Sequence, residues 1–234
     1  MTDLRGVVFD AYGTLFDVYS IGQKAEQLFP GSGAAISTLW RDKQIEYSRL
    51  VSLSDPSPHG SSFYESFWSL TRYALEYSLI RLGLQHSKAQ IDELMDSYSR
   101  LDAYAECKSV LQELRSIGLP MAILSNGSPE MLSSAATHPG LDASLDHMIS
   151  VEDVRHFKTS PICYSLASSV LKLPVASLLF VSSNAWDVLG ATWFGFQACW
   201  VNRQQLPPEK LGPPPSHVVS DLSGVLEIIR PSVS

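Results

Sequence analysis

Four short apolar runs punctuate the chain: Gly6–Asp10, Pro120–Ser125, Leu178–Ser182 and Gln197–Val201. Each is near-continuously apolar rather than alternating, and each is bounded by turn or polar residues, the pattern of strands covered on both faces. Between and after them, apolar residues recur at helical spacing over Ala105–Ile117, Pro129–His138, Ile162–Leu171 and Trp186–Phe194. In the first of these, Val110, Leu111, Leu114 and Ile117 fall on one face and Gly118 supplies a stop. Strand and helix alternating in this way imply right-handed βαβ units and a parallel sheet.

The interval between the first two strands is too long for a single crossover. From about Asp17 to Asp102 it reads as almost wholly helical, with segments around Leu39–Tyr47, Phe63–Leu82 and Ala89–Leu101. A helical block inserted after the first strand predicts a lid or cap above the strand ends. Within it, Ser52–Ser62 (SLSDPSPHGSS) is loop-like and rich in Ser and Pro. Leu206–Pro215 (LPPEKLGPPP) is a proline-rich connection before a last strand and helix.

Composition narrows the function classes. The chain has 234 residues, 17 Lys plus Arg against 24 Asp plus Glu, and a net charge of −7. An acidic balance argues against a general electrostatic grip on nucleic acid or anionic lipid, but not against a small anion in a local basic pocket. The start, Met1-Thr2-Asp3-Leu4-Arg5-Gly6, has no secretory pattern, and no apolar run of roughly 20 residues is present to span a membrane. Cys107, Cys163 and Cys199 are odd in number and widely spaced, so free thiols in a cytoplasmic protein are expected, not a disulfide framework or thiolate zinc site. The six histidines form no H-x-H or H-E-x-x-H pair, and the usual nucleotide and serine-hydrolase signatures are missing.

Chemistry gathers at the strand ends, where ligands bind in an open parallel sheet. The first strand ends in Asp10, followed by Ala11-Tyr12-Gly13-Thr14; the second ends in Ser125-Asn126-Gly127; and Leu178–Ser182 runs out as Ser183-Asn184-Ala185-Trp186-Asp187. Between the last two lies Lys158, with Tyr164 six residues on. A single polar residue at such a place is ordinarily a turn or a helix cap. Four segments converging on one crevice predict a site.

These residues resemble the haloacid dehalogenase superfamily, and specifically its L-2-haloacid dehalogenase branch. The matching motifs are V-V-F-D-A-Y-G-T-L at Val7–Leu15, I-L-S-N-G at Ile123–Gly127, the lysine at Lys158, and F-V-S-S-N-A-W-D at Phe180–Asp187, joined by Leu39-Trp40-Arg41. They run through nearly the whole chain in order. The resemblance implies an α/β fold: a Rossmann-like parallel sheet core flanked by helices, formed by residues 1–16 and 103–234, with an inserted helical cap subdomain over residues 17–102. It also implies a cofactor-free hydrolase, a homodimer, acting on a small-molecule 2-haloacid and releasing a D-2-hydroxyacid and a halide ion. Asp10 would be the nucleophile that forms an aspartyl ester, with Lys158 as its cation. Arg41 and Asn126 would cradle the halide. Ser125 and the backbone of the Ala11–Gly13 turn would hold the substrate carboxylate. Thr14 and Tyr164 would orient Asp10 and Lys158, while Ser182, Asn184 and Asp187 would position the water or Lys158. Tyr12, Phe67 and Trp186 would form an apolar wall.

Magnesium-dependent phosphatases of the superfamily are the main alternative, and a catalytically inactive binding protein is a second. The phosphatases carry a second aspartate where this chain has Tyr12, and a further acidic residue where it has Ser183. Tyr12 cannot serve as a general acid at its ordinary pKa, and Asp10 with Asp187 alone makes a poor octahedral oxygen site, so no metal is expected. Asp10, Lys158 and Asp187 are all retained, which argues against the inactive reading. The chain departs from the resemblance in having Lys158-Thr159-Ser160-Pro161 where K-P-D-P is common, and in its long Ser52–Ser62 loop.

Overall fold

The computed structural model describes residues 4–230. Its six strands form one sheet: β1 (Gly6–Phe9), β2 (Met121–Ser125), β3 (His147–Ser150), β4 (Leu178–Ser182), β5 (Gln197–Val201) and β6 (His217–Val219), in the order β3-β2-β1-β4-β5-β6. Every pairing is parallel, with Val7 opposite Met121 on one side of β1 and Leu179 on the other. The central strands β1, β2 and β4 are buried at every position, which is why they read as continuous apolar runs. The order reverses about β1, so the loops after β1 and β4 diverge and open a crevice at their carboxyl ends.

Helices α1 (Ile21–Leu28), α2 (Gly33–Ser54), α3 (Phe67–Arg81) and α4 (Lys88–Tyr98) all lie between β1 and α5 (Cys107–Ile117). Local chemistry sets their ends. The Ser66 hydroxyl accepts from Ser69 N–H at the start of α3, and Ser87 with Gln90 forms a reciprocal capping box on α4. Where the chain leaves and returns, Asp17 N–H donates to Asp102 O at 2.9 Å and Tyr104 N–H to Leu15 O at 3.0 Å. The two crossing segments therefore lie side by side.

The remaining helices, α6 (Pro129–Thr137), α7 (Pro161–Leu171), α8 (Ala185–Phe194) and α9 (Gly224–Ile229), flank the sheet. The helices expected at Ala105–Ile117, Pro129–His138, Ile162–Leu171 and Trp186–Phe194 lie within two residues of these bounds, and Gly118 ends α5 in the left-handed region at φ +84. The last strand and helix follow Leu206–Pro215 as expected.

Two readings need correction. Strand β3 escaped the apolar-run criterion because only its second half is buried, His147 and Met148 being exposed. The loop expected at Ser52–Ser62 starts later, because α2 continues to Ser54; Ser52 and Ser61 are buried and bonded, so high Ser content here marks contact with the 155–157 segment. Among the described residues, no helix is long and apolar enough to cross a membrane. All three cysteines are free and fully buried.

Candidate active site

Asp10 follows β1, its N–H bonded to Val181 O of β4 at 2.9 Å, so the neighbouring strand fixes its backbone. Its two carboxylate oxygens have different surroundings. Oδ2 accepts from Asn184 Nδ2 at 2.7 Å, Thr14 Oγ1 at 2.9 Å and Ser182 Oγ at 3.2 Å. Among the described residues, Oδ1 is hydrogen-bonded only by Lys158 Nζ, at 3.2 Å. The carboxylate is thus held by one oxygen and left open at the other.

Lys158 is buried and also reaches Asp187 Oδ2 at 2.8 Å. Burial opposes its charge, but attraction to Asp187 and Asp10 raises its pKa above the ordinary value, so it stays an ammonium. Burial pushes the Asp187 carboxyl up to about 6, with Lys158 pulling the other way. Tyr164 OH donates to Asp187 Oδ1 at 2.7 Å, and burial keeps this phenol protonated by raising its pKa well above the usual range. The buried centre therefore alternates carboxylate, ammonium, carboxylate, each bonded to the next.

Helix α2 brings Arg41 to the mouth of this centre. Its guanidinium donates to Gln44 Oε1 at 2.7 Å, and to Tyr12 O and Asn184 Oδ1 at 3.2 Å each. All three acceptors are uncharged. Gln44 is itself locked, donating to Thr71 Oγ1 at 2.6 Å and lying 3.1 Å from Tyr98 OH. Tyr12 stacks on Tyr98 at 5.6 Å between ring centroids and meets Phe67 at 6.2 Å; Phe67 in turn meets Phe157 at 5.9 Å. These rings make an apolar wall against which a short alkyl group can lie.

Asp10, Thr14, Ser182, Asn184, Lys158, Asp187 and Tyr164 are thus brought into one bonded cluster, with Arg41 joined to it through Asn184. Ser125 and Asn126 sit at the end of β2, both buried; Asn126 Oδ1 accepts from Lys158 N–H at 2.9 Å. Several geometric expectations change. Gly13 N–H is committed to Phe16 O at 2.8 Å, so any anion nest in this turn reduces to Ala11 and Tyr12. Tyr164 touches Asp187, not Lys158. Ser182 and Asn184 hold Asp10 directly. Trp186 lies apart from the ring wall, half-buried, with the Arg49 guanidinium 5.1 Å from its ring centroid.

Gln44, Tyr98 and Phe157 are not singled out by the sequence, and Trp40 enters there only as part of Leu39-Trp40-Arg41. Their signal was faint: Gln44 stands one turn after Arg41, and Trp40 donates to Thr71 O at 2.7 Å, but only the packing of α2 on α3 and α4 brings Thr71 and Tyr98 beside them.

Among the described residues, no group of three or more His, Cys, Asp and Glu side chains could hold a metal ion. The two carboxylates of the crevice are bridged by an ammonium, a donor set that a magnesium ion does not fit.

A family model of haloacid dehalogenase-like hydrolases matches residues 4–195, and the chain belongs to that family. More particularly, it is 45% identical over 230 residues to an (S)-2-haloacid dehalogenase of Pseudomonas sp. strain CBS-3, covering 98% of this chain and 97% of that one. A crystal structure of an L-2-haloacid dehalogenase superposes with a TM-score of 0.95 at 48% identity, covering 98% of this chain and 100% of that one. A structure of L-2-haloacid dehalogenase from Xanthobacter autotrophicus with chloropropionic acid covalently bound gives a TM-score of 0.86 at 37% identity, covering 97% and 98%.

Proposed function

We propose that the chain hydrolyses L-2-haloalkanoic acids to D-2-hydroxyalkanoic acids and halide, through an ester on Asp10. The observation that carries this reading is the asymmetry of the Asp10 carboxylate, with three donors on Oδ2 and only Lys158 at Oδ1. Oδ1 attacks C2 from the side opposite the halogen; the new C–O bond forms as the C–X pair departs with the halide, inverting C2. The donors on Oδ2 then surround the carbonyl oxygen of the ester. They strengthen as charge develops there during attack by water on Cγ. Asp187, paired with Lys158, takes one proton of that water. The tetrahedral adduct then collapses with cleavage of the Cγ–Oδ1 bond, and the proton passes from Asp187 to the departing Oδ1 to give the hydroxyacid. The second proton of the water is lost to solvent as Asp10 returns to a carboxylate.

Arg41 receives the halide, and Asn126, whose carbonyl end is occupied by Lys158 N–H, turns its amide NH₂ to the same anion. Ser125 and the N–H groups of Ala11 and Tyr12 hold the substrate carboxylate, and Tyr12 with Phe67 covers the alkyl group. In this reading residues 17–102 form the cap, residues 1–16 and 103–234 the core, and the enzyme works as a cytoplasmic homodimer; native mass spectrometry tests the dimer. The relatives named above support the substrate class, and the ammonium-bridged carboxylates weigh against the magnesium-dependent phosphatase alternative.

Halide release from chloro-, bromo- and fluoroacetate and from both 2-chloropropionate enantiomers, with and without chelator, tests the function. Release from the L enantiomer, indifferent to chelator, is expected. Magnesium-dependent hydrolysis of p-nitrophenyl phosphate without halide release would overturn it.

A further inference from the structure

A cavity of about 380 Å³ opens beside Arg41 and Asn184 and extends outward past Ile45, Arg49, Trp186 and Arg203. Arg41, Ile45 and Arg49 are spaced by four residues along α2, so they share one helix face, with Arg49 about 12 Å beyond Arg41 along the axis. The three arginines of this cavity are not equivalent. Arg203 is neutralised: it pairs with Glu106 at 2.6 Å, donates to Thr14 O at 3.0 Å and stacks 3.8 Å from the centroid of Tyr104. Arg49 is half-buried against the face of Trp186, and among the described residues no carboxylate lies within ion-pair distance of it or of Arg41. Asp42 and Glu209 also border the cavity, but both are exposed and make no ion pair with Arg49.

A protein with net charge −7 thus keeps, on one face of one helix and on one cavity, two guanidinium groups that make no ion pair among the described residues. We propose that Arg49, backed by Trp186 and Ile45, forms an outer anion station that captures small monovalent anions, the incoming haloacid carboxylate and the outgoing halide, before they pass Arg41. A guanidinium is weakly hydrated and, laid on an aromatic face, suits polarisable, weakly hydrated anions better than an ammonium would. The assignment of the ligand rests on the dehalogenase reading above; the presence of an anion site does not.

Two measurements separate these. The excess line width of ³⁵Cl resonances in chloride solutions of the protein reports rapid chloride binding without turnover. Arg49→Gln is expected to lose a substantial part of it, while Arg81→Gln, an exposed arginine on α3, leaves it unchanged. Kinetically, Arg49→Gln should lower kcat/KM for L-2-chloropropionate about three- to tenfold, with the fall carried by KM, and flatten the decline of kcat/KM with added salt, because a charge at a rim acts through association. Arg49→Lys should restore most of the salt dependence. Unchanged ³⁵Cl line width and an unchanged salt slope in Arg49→Gln would overturn the station. Loss of line width in a protein that releases halide from no haloacid would leave the station standing and remove the dehalogenase reading.

Discussion

The two sides of the crevice handle charge in opposite ways. On the sheet side, Asp10, Lys158 and Asp187 are almost wholly buried and satisfy one another, at 3.2 and 2.8 Å. On the helical side, Arg41 is wedged among uncharged acceptors, a glutamine, an asparagine and a backbone carbonyl. Buried charges must be paired or they are costly, and on the sheet side one ammonium serves two carboxylates. The remaining negative charge is spread over the hydroxyl and amide donors on Asp10 and the Tyr164 hydroxyl on Asp187. The helical side leaves a guanidinium with no direct ion pair among the described residues, open to an anionic ligand. In the proposed reaction the anion that Arg41 lacks in the free protein is the halide produced at Asp10.

Changes on each side should therefore fail differently. Lys158→Met is expected to have the largest effect, leaving two carboxylates facing each other in a buried site. Loss of stability of about 3–5 kcal/mol and no measurable halide release are expected, checked by urea denaturation and a halide assay. A variant that folds normally and turns over would break the view of the sheet side as one unit. Arg41→Lys removes no charge but loses the fork that reaches three acceptors at once. Stability should change little, while turnover falls roughly ten- to hundredfold, or about 1.5–3 kcal/mol, from lost charge-assisted bonds. Equal losses of stability in the two variants would erase the distinction.

A smaller effect is expected from Tyr164→Phe. With Asp187 pushed up to about 6, kcat/KM should fall as pH drops through that value, because protonation removes the carboxylate that balances Lys158. The Tyr164 bond favours the ionised form of Asp187, so its loss should raise that pKa and move the acid limb to higher pH. Stability should drop by about 1 kcal/mol. A pH–rate profile of both proteins checks the sign of the shift.

The polar residues at the strand ends were legible because chain topology delivers them: once β1, β2 and β4 are parallel neighbours, Asp10, Ser125 and Ser182 must stand at the same edge of the sheet. Lys158 and Tyr164 lie outside the strands and were legible only through their motif context. The helical side was far less readable. Gln44, Thr71 and Tyr98 are ordinary helical residues, and nothing local distinguishes them from core positions. Trp186 is instructive, since its neighbours Asn184 and Asp187 enter the buried centre while its own ring lies against Arg49, on the cavity that also borders Arg41.

The amino-acid sequence by itself determined the alternation of strands and helices, the inserted helical block and the set of chemical groups at the strand ends. Each is written in short-range periodicity or in residue identity. Tertiary structure alone decided which oxygen of Asp10 is held and which is open, that the Tyr164 hydroxyl bonds Asp187, and that Arg41 and Arg49 make no ion pair among the described residues. Those outcomes depend on distances of a few ångströms between residues up to 174 positions apart, as in the bond from Asn184 to Asp10. Packing sets such distances, and no local pattern encodes them.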